Sequence, residues 1–436
     1  MRIFTISFLL VLFLFPFAIT QARIIHVPAD SSTIQGGING VVDGDTVLVA
    51  EGHYYERINF NGKRILVTGE FMNDHDPLHI QNTIIDGDTS GTVVSFSNGE
   101  DSTSIIQGFT LQNGMANRGG GIACSQSSPF IVDCIITHNT AKGGGGISCL
   151  QSSPTINSCT IADNKASFYP AGGNYTITDN KANSGPPGDG CGGGILCVIS
   201  SSPTISNCTI AHNTAFVPLG AGAGGGIACM QSSPMIAYCA IYKNVAGFGW
   251  GGGIACASSF LTILNCTITQ NGASNGGGIF CSDCDAYSPI TNTILWNDSP
   301  DEIYTYSGLP PIWRVTYSDI KGGWYGTGNL NCCPMFCNPN TADYYLAANS
   351  CCVGAGQGGV NIGTFGVGCP GYICGDANGD GEINAVDVVY LINYLFIHGP
   401  SPDPLWAGDA NCDATVNSSD VVYLINYLFI DGPSPC

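Results

Sequence analysis

The feature that most constrains this chain is a phrase of about 25 residues that recurs through its middle. It reads GGGIACSQSSPFIVDCIITHNTA from Gly119 to Ala141 and GGGISCLQSSPTINSCTIADNKA from Gly144 to Ala166. Further copies begin at Gly192, Gly224 and Gly251, and a degenerate last copy ends at Asp298. Because a unit this short cannot bury a core alone, the period predicts single coils that stack into a solenoid.

Each copy predicts three short strands: the Gly-Ile-x-Cys run, the run after the Ser-Ser-Pro turn, and the Cys-x-Ile run closed by an asparagine turn. Residues two apart on a strand share a face, so the isoleucines and cysteines are expected to point inward. Asparagine suits turns and bonds neighbouring backbone, and in register the recurring asparagines would form a ladder of amides. They are Asn113, Asn139, Asn164, Asn213, Asn244, Asn271 and Asn297.

The chain has 22 cysteines, and two interpretations of those in the coils stay open. Inward-facing cysteines can act as small apolar residues and form buried thiol ladders. Equivalent cysteines on stacked strands also lie about 5 Å apart, so disulfides are the alternative, although their parallel Cβ vectors disfavour bridging. Beyond the coils the spacing is irregular, and disulfides are expected there, with a pairing that spacing does not give. These cysteines are Cys332, Cys333, Cys337, Cys351, Cys352 and Cys369.

Composition and the N-terminus indicate an exported, acidic protein. The formal net charge is −20 with 12 Lys and Arg residues, which argues against nucleic acid and anionic membranes as partners and suits calcium. Residues 1–22 are typical of a signal peptide, with an apolar run from Ile3 to Phe17. No second apolar run of about 18 residues follows. We therefore expect a secreted, extracellular protein, either free or attached to a cell surface, and not an integral membrane protein.

The GGGI…SSP…C-x-I-x-x-N coil resembles the right-handed parallel β-helix group, the pectin-lyase-like fold, over roughly residues 24–370. The resemblance implies an all-β solenoid with a cap and first coils over 23–118, regular coils over 119–298 and a closure over 299–372. Ser32-Thr33 could cap a helix from Ile34 to Val41 that covers the first open coil. The spacing breaks over 167–191, which indicates a duplicated half-coil or a protruding loop. The fold hosts lyases, hydrolases, adhesins and structural proteins, so it implies no one activity.

The tail, residues 373–436, has a different pattern. Two acidic loops each precede the same apolar sequence, VVYLINYLFI. Each loop offers side-chain oxygens at its first, third, fifth, ninth and twelfth positions and a backbone carbonyl at its seventh, which is EF-hand spacing and predicts two calcium ions. The ligands are Asp376, Asn378, Asp380, Glu382, Asn384 and Asp387 in the first loop, and Asp409, Asn411, Asp413, Thr415, Asn417 and Asp420 in the second.

This pair of loops and helices resembles a type I dockerin, over residues 374–436, in which the twelfth position is Asp. The resemblance implies a small α-helical module that binds a cohesin domain of a partner protein. The residues that contact cohesin would fall at Ala385-Val386 and Ser418-Ser419. Ala414 replaces the usual glycine at the sixth position of the second loop and predicts a weaker site there. Cys374 and Cys436 bracket the module, and we expect a disulfide between them.

The coils give a weak catalytic signal. Pectate-lyase chemistry needs an Arg or Lys base, but residues 119–298 contain no arginine, and Lys142, Lys165, Lys181 and Lys243 occupy positions typical of turn residues. The best candidate set is His138, Asp163 and His212, which stacking would place on neighbouring coils as a possible acid/base group. A solvated turn edge is the alternative. Two functions stay open: a polysaccharide hydrolase or lyase docked to a cohesin-bearing scaffold or cell surface, and a non-catalytic adhesive or structural β-helix with the dockerin as its anchor.

Overall fold

A computed structural model describes residues 22–167, 191–216, 223–284, 287–306 and 313–435. The predicted signal peptide lies outside this range except for its last residue, Ala22, and most of the 167–191 insertion lies outside it as well. Within the described residues, the chain winds into a solenoid whose sheets are all parallel from one coil to the next. No helix in this part of the chain is long and apolar enough to cross a membrane.

Three long parallel sheets form the walls of the solenoid, as the repeat predicts. Sheet I has 11 strands among the described residues, and its residues follow the Ser-Ser-Pro turns. Its strands are Ile24–Val27, Thr46–Val49, Leu66–Gly69, Ile105–Gln107, Phe130–Val132, Thr155–Asn157, Thr204–Ser206, Met235–Ala237, Thr262–Leu264, Pro289–Thr291 and Arg314–Thr316.

Sheet II holds the Cys-x-Ile runs and sheet III holds the Gly-Ile-x-Cys runs. The strands of sheet II are Gly52–Tyr54, Thr83–Asp86, Thr110–Gln112, Ile135–Thr137, Thr160–Ala162, Thr209–Ala211, Ala240–Tyr242, Thr267–Thr269, Ile294–Trp296 and Asp319–Ile320. The strands of sheet III are Ile58–Asn59, Val94–Phe96, Ile122–Ser125, Ile147–Leu150, Ile195–Val198, Ile227–Met230, Ile254–Ala257, Ile279–Ser282 and Ile303–Tyr306.

A fourth sheet was not predicted. The residues after each buried asparagine pair with their counterparts on the next coil and form sheet IV. Their Thr-Ala and Lys-Ala sequences look like turns because they lack a clear apolar alternation. The strands are Met115–Arg118, Thr140–Gly143, Lys165–Ser167, Thr214–Phe216, Val245–Trp250 and Gly272–Asn275, and a two-stranded ladder joins Cys191–Gly192 to Ala223–Gly224.

The core consists of the inward-facing columns that the sequence predicts. The register aligns Ile122 with Ile147 and Cys124 with Cys149, and the same alignment continues from coil to coil. These side chains are almost completely buried. Nine coil cysteines are unbridged thiols in the described structure, so most of the coils follow the thiol-ladder interpretation. They are Cys124, Cys134, Cys149, Cys159, Cys197, Cys208, Cys229, Cys239 and Cys266.

Buried asparagines form the amide ladder, but its membership differs from the prediction. Asn139, Asn164, Asn213, Asn244 and Asn271 are buried, and each donates to the side chain of the next. The last acceptor is Asp298. Asn113 and Asn297 are one residue out of register and lie at corners with φ of 57° and 63°. The prediction was wrong for these two because asparagine suits both the left-handed corner and the buried ladder.

Short helices accompany the first coils. Helix α1, Ile34–Gly40, begins at Thr33, whose side chain accepts a hydrogen bond from the Gly36 backbone N–H at 3.0 Å. Its Ile34 and Ile38 are fully buried against the first coil, and this burial covers the open end of the core. Helices α2, Phe71–Asp74, and α3, Pro77–Asn82, lie within one coil, between the sheet I strand Leu66–Gly69 and the sheet II strand Thr83–Asp86.

The C-terminal closure, residues 313–372, packs on the last coils. It contains a three-stranded sheet of Phe336–Asn338, Asp343–Ala347 and Val367–Cys369, and a 3-10 turn, Pro339–Thr341. Tyr344 donates to the Gln270 side chain at 3.0 Å, and Tyr344 packs with Ile294 and Trp296 on the outer face of sheet II. The tail follows with helix α4, Ala385–Ile397, a 3-10 turn, Leu405–Gly408, and helix α5, Ser418–Phe429.

Candidate calcium centre and the candidate catalytic set

The first acidic loop, residues 376–387 (loop 1), folds around its own carboxylates. Asp376 accepts hydrogen bonds from the backbone N–H groups of Asp380 and Gly381 at 3.1 and 2.8 Å. Asp387 accepts from the N–H groups of Asn378 and Asn384 at 3.1 and 2.8 Å. These bonds bring the backbone of the loop around its first and twelfth carboxylates.

The second acidic loop, residues 409–420 (loop 2), repeats this arrangement. Asp409 accepts from the N–H groups of Asp413 and Ala414 at 3.1 and 2.9 Å. Asp420 accepts from the N–H groups of Asn411 and Asn417 at 3.3 and 2.8 Å. The two loops therefore place their first and twelfth carboxylates in equivalent positions.

The helices that follow begin inside the loops. Asn384 and Asp387 form a capping box at the start of α4, and Asn417 and Asp420 form the same box at the start of α5. The ninth and twelfth residues of each loop, which are predicted calcium ligands, thus also satisfy backbone donors at the start of the helix.

The electrostatics of the loops favour a cation. Burial, together with the charges of Asp420 and Asp413, raises the pKa of Asp409 to about 7. Burial likewise raises the pKa of Asp420 to about 6, and burial and the Asp376 and Asp380 charges raise that of Asp387. A divalent cation among these oxygens would relieve this cost, and carboxylate, amide and carbonyl oxygens are the ligands that Ca²⁺ takes. The residues therefore fit calcium.

The loops differ at their fourth and sixth positions. Loop 1 has Gly379 and Gly381 there, with φ of 73° and 90°. Loop 2 has Cys412 and Ala414, with φ of 55° and 67°. A residue with a Cβ is strained in this left-handed region, whereas glycine is not. Loop 2 thus adopts its shape at a higher conformational cost.

Loop 2 also touches the closure of the β-helix. Cys412 is bridged to Cys333, and its carbonyl accepts from Trp296 Nε1 at 3.3 Å and from Lys321 Nζ at 3.4 Å. No sequence pattern indicates this bridge, because its partners are 79 residues apart in different modules. Two other bridges hold the closure, Cys332–Cys351 and Cys337–Cys369, while Cys352 is a buried thiol. Cys374 is buried, and its expected partner Cys436 lies outside the described residues.

The candidate catalytic residues lie in one column at the end of sheet II. The register pairs Thr137 with Ala162 and Ala162 with Ala211, so His138, Asp163 and His212 follow on three neighbouring coils. All three are exposed and occupy left-handed corners with φ of 54°, 56° and 54°. Within the described part of the chain, no hydrogen bond or ion pair links the three side chains. The structure brings them together as a column without the contacts that an acid/base group uses.

Sequence reasoning missed a buried acidic pair beside loop 2. Asp298 and Glu302 line a cavity of about 560 Å³ together with Lys321, Trp324 and Asp413. Burial raises the pKa of Asp298 to about 7 and that of Glu302 to about 10, where the Asp298 charge contributes as well. The signal that could have revealed the pair is the replacement of asparagine by Asp298 at the end of the ladder.

A cluster of three cysteines interrupts the thiol ladder. Cys256 and Cys281 are register partners on sheet III, and Cys284 lies in disulfide contact with both. The register puts Cys284 in line with Ser259, at a position where earlier coils carry a ladder of buried serines. Because one sulfur forms one disulfide bond, Cys284 can bridge only one of its two neighbours at a time.

Stacked parallel coils followed by paired acidic loops and helices define a β-helix protein with a calcium-loop module. Residues 145–308 match the family model for the right handed beta helix region, and residues 374–429 match the model for the dockerin type I domain. The protein is thus a right-handed parallel β-helix with a C-terminal type I dockerin. Type I dockerins bind calcium and dock onto cohesin domains. The dockerin therefore implies docking to a cohesin-bearing scaffold.

Solved structures overlap with the chain only loosely. Pectate lyase Pel9A is 13% identical with a TM-score of 0.34, over 80% of this chain and 98% of that one. ORF18 of Geobacillus virus E2 is 12% identical with a TM-score of 0.33, over 70% and 57%. The deglycosylated pectin methylesterase from Aspergillus niger is 13% identical with a TM-score of 0.29, over 71% and 85%. No curated protein sequence matches the chain.

Proposed function

We propose that this is a secreted, extracellular protein that binds or breaks down polysaccharide and is docked to a cohesin-bearing scaffold or cell surface by its calcium-dependent dockerin. The observation that carries the docking half is the pair of equivalent acidic loops, each joined by a capping box to a helix of the same sequence. Each loop holds one calcium ion, so the dockerin binds two. Each loop contributes the six ligands named above, at its first, third, fifth, seventh, ninth and twelfth positions. Glu382 and Thr415, at the seventh positions, contribute their backbone carbonyls.

The exposed faces of the dockerin helices support a protein partner. Ala385, Val386, Ser418 and Ser419 are all exposed at the first turns of α4 and α5. Large apolar side chains further along both helices are exposed as well, including Phe396 at 63% and Phe429 at 67%. Exposed apolar groups gathered on one small module are typical of a binding surface. This surface is where we place the cohesin.

The docking half is tested by capture of the full-length protein on immobilised type I cohesins, in calcium and in a chelator. Calcium-dependent capture that is lost on chelation supports docking. Docking is contradicted if no cohesin of a broad panel captures the protein, or if capture is equally strong in the presence of the chelator. The aspartate variants in the Discussion show whether the loops bind calcium in the same preparation.

The polysaccharide half rests on the β-helix fold, which hosts several functions. The second candidate is a non-catalytic adhesive or structural β-helix, and one observation favours it: His138, Asp163 and His212 are solvated corner residues without mutual contacts. Incubation with pectins, alginates and xylans separates the two. New reducing ends or unsaturated uronates support an enzyme, and binding without either product supports an adhesive protein.

A further inference from the structure

Loop 2 of the dockerin is fastened to the β-helix, whereas loop 1 is not. Cys412, the fourth residue of loop 2, is bridged to Cys333 of the closure. Its carbonyl also receives hydrogen bonds from Trp296 on the last coils and from Lys321 just after them. In the part of the chain that the structure describes, no hydrogen bond or disulfide joins loop 1 to any residue before Ile373.

The attachment point lies between two calcium ligands. Cys412 follows Asn411 and precedes Asp413, the third and fifth positions of loop 2. Fixing the sulfur and the carbonyl of one residue restricts both of its peptide planes. The neighbouring oxygens that would face the ion are then held in place before the ion arrives.

The same stretch of loop 2 is where its backbone is least favourable. Cys412 and Ala414 both hold left-handed φ angles, of 55° and 67°, where loop 1 uses glycine. Ala414 is 7% exposed and packs into the narrow seam that Trp296, Cys333 and Trp406 line. A free loop with these two residues would spend less time in the binding shape, because residues with a Cβ disfavour the left-handed region.

We propose that the β-helix completes the second calcium site: Cys333, Trp296 and Lys321 are positioning residues that hold loop 2 in its binding shape and replace the glycines it lacks. Calcium binding at loop 2 then requires the contacts that the β-helix makes with this loop, while loop 1 binds calcium without them. This inference rests on the proposed function only in that both loops bind calcium. It also fixes α5, which begins inside loop 2, relative to the coils.

Calcium titration of the full-length protein by calorimetry tests the inference. The test variant is Cys333→Ser with Cys412→Ser, which removes the bridge and leaves no unpaired thiol. The matched control is Cys337→Ser with Cys369→Ser, which removes a bridge of the same closure that does not reach the loop. Asp409→Ala and Asp376→Ala assign each binding event to its loop.

We expect the test variant to weaken the loop 2 event about 5- to 10-fold and to leave the loop 1 event unchanged, while the control changes neither. Adding Ala414→Gly to the test variant should restore most of the affinity, because glycine adopts the left-handed backbone without strain. A bridge that only stabilised the closure would not be rescued by this glycine. Trp296→Phe, which keeps the packing and removes the donor, should weaken loop 2 to a smaller extent.

Equal loop 2 affinities in the wild type and the test variant would overturn the inference, as would equal losses at both loops or in the control. A wild-type protein that binds calcium only at loop 1 would overturn it too. Failure of cohesin capture contradicts the proposed function alone, because the inference is read from calcium affinity.

Discussion

Asp298 ends the buried amide ladder by accepting two hydrogen bonds from Asn271, one from its backbone N–H at 2.7 Å and one from its Nδ2 at 2.9 Å. Asn164, Asn213, Asn244 and Asn271 each accept the same pair of bonds from the preceding asparagine and donate through their own Nδ2 to the next residue of the ladder. Asn139, the first of the ladder, accepts instead from the Gly114 backbone N–H. A carboxylate accepts without donating, so the chain of amides stops at Asp298. Glu302, four residues later, in turn accepts a hydrogen bond from the Asp298 backbone N–H at 3.2 Å.

Asn213, in the middle of the ladder, should be costly to truncate. Its Oδ1 accepts from the backbone and side chain of Asn164, and its Nδ2 donates to the carbonyl of Ile161 and to Asn244. We expect Asn213→Ala to lower the free energy of unfolding by about 3 kcal/mol or more, since it leaves several buried polar groups unpaired. Urea denaturation measures this. His212→Asn, one residue away at the exposed corner, should change stability by about 0.5 kcal/mol or less, and equal losses would refute a special role for the ladder.

The acidic pair should make stability fall at alkaline pH. The pKa values of Asp298 and Glu302 in the folded protein, about 7 and about 10, lie above their ordinary values. Protonation of the pair therefore stabilises the fold at acid pH, and this contribution is lost as the pH rises through about 7 and then about 10. We expect the melting temperature in saturating calcium to fall between pH 6 and pH 10 on this account.

Glu302→Gln isolates the effect. Glutamine cannot ionise but can still donate to Asp298, so the variant should be more stable than the wild type at pH 10, by about 2 kcal/mol or more, and close to it at pH 5. Asp301→Asn, an exposed neighbour, is the matched control and should follow the wild type. A Glu302→Gln protein with the wild-type pH profile would show that the pair does not share a proton.

Cys284 should determine the thiol count of the last coils. A bridge from Cys284 to either Cys256 or Cys281 leaves the third cysteine reduced. We expect Cys284→Ser to add one alkylatable thiol per denatured molecule, because Cys256 and Cys281 then both stay reduced on parallel strands. Mass spectrometry after alkylation without reductant counts them. Cys266→Ser, a buried unbridged thiol, should instead remove one, and a Cys284→Ser protein with one thiol fewer than the wild type would place a bridge between Cys256 and Cys281 and contradict the prediction.

The sequence predicted what repeats and missed what occurs once. The period, the inward isoleucines and the register of the coils follow from alternation, because each strand must bury the same face. The twofold repeat of the calcium loops is visible for the same reason. The Cys333–Cys412 bridge depends on how two modules meet, and no local sequence pattern indicates that. The Asp298–Glu302 pair occurs once, and its one trace in the sequence is Asp298 in place of a ladder asparagine.

The candidate catalytic residues illustrate a different difficulty. His138, Asp163 and His212 stand in one column, as stacking predicts, but their position is a left-handed corner in every coil. Polar residues are common at such corners because they can bond their own backbone. The left-handed backbone at this corner therefore explains why polar residues occupy the column. A chemical role for the three residues stays a prediction.

Removal of single carboxylates should separate the two calcium ions. Asp376→Ala deletes the first ligand of loop 1 and Asp409→Ala deletes that of loop 2. We expect each variant to lose one of two binding events in calorimetry, and the double variant to lose both together with calcium-dependent cohesin capture. Glu382→Ala is the internal control: the seventh position contributes its backbone carbonyl, and the exposed Glu382 side chain is free to change. Loss of the loop 1 event in Glu382→Ala would mean that its carboxylate binds the ion, and two events surviving in the double variant would place calcium elsewhere in the protein.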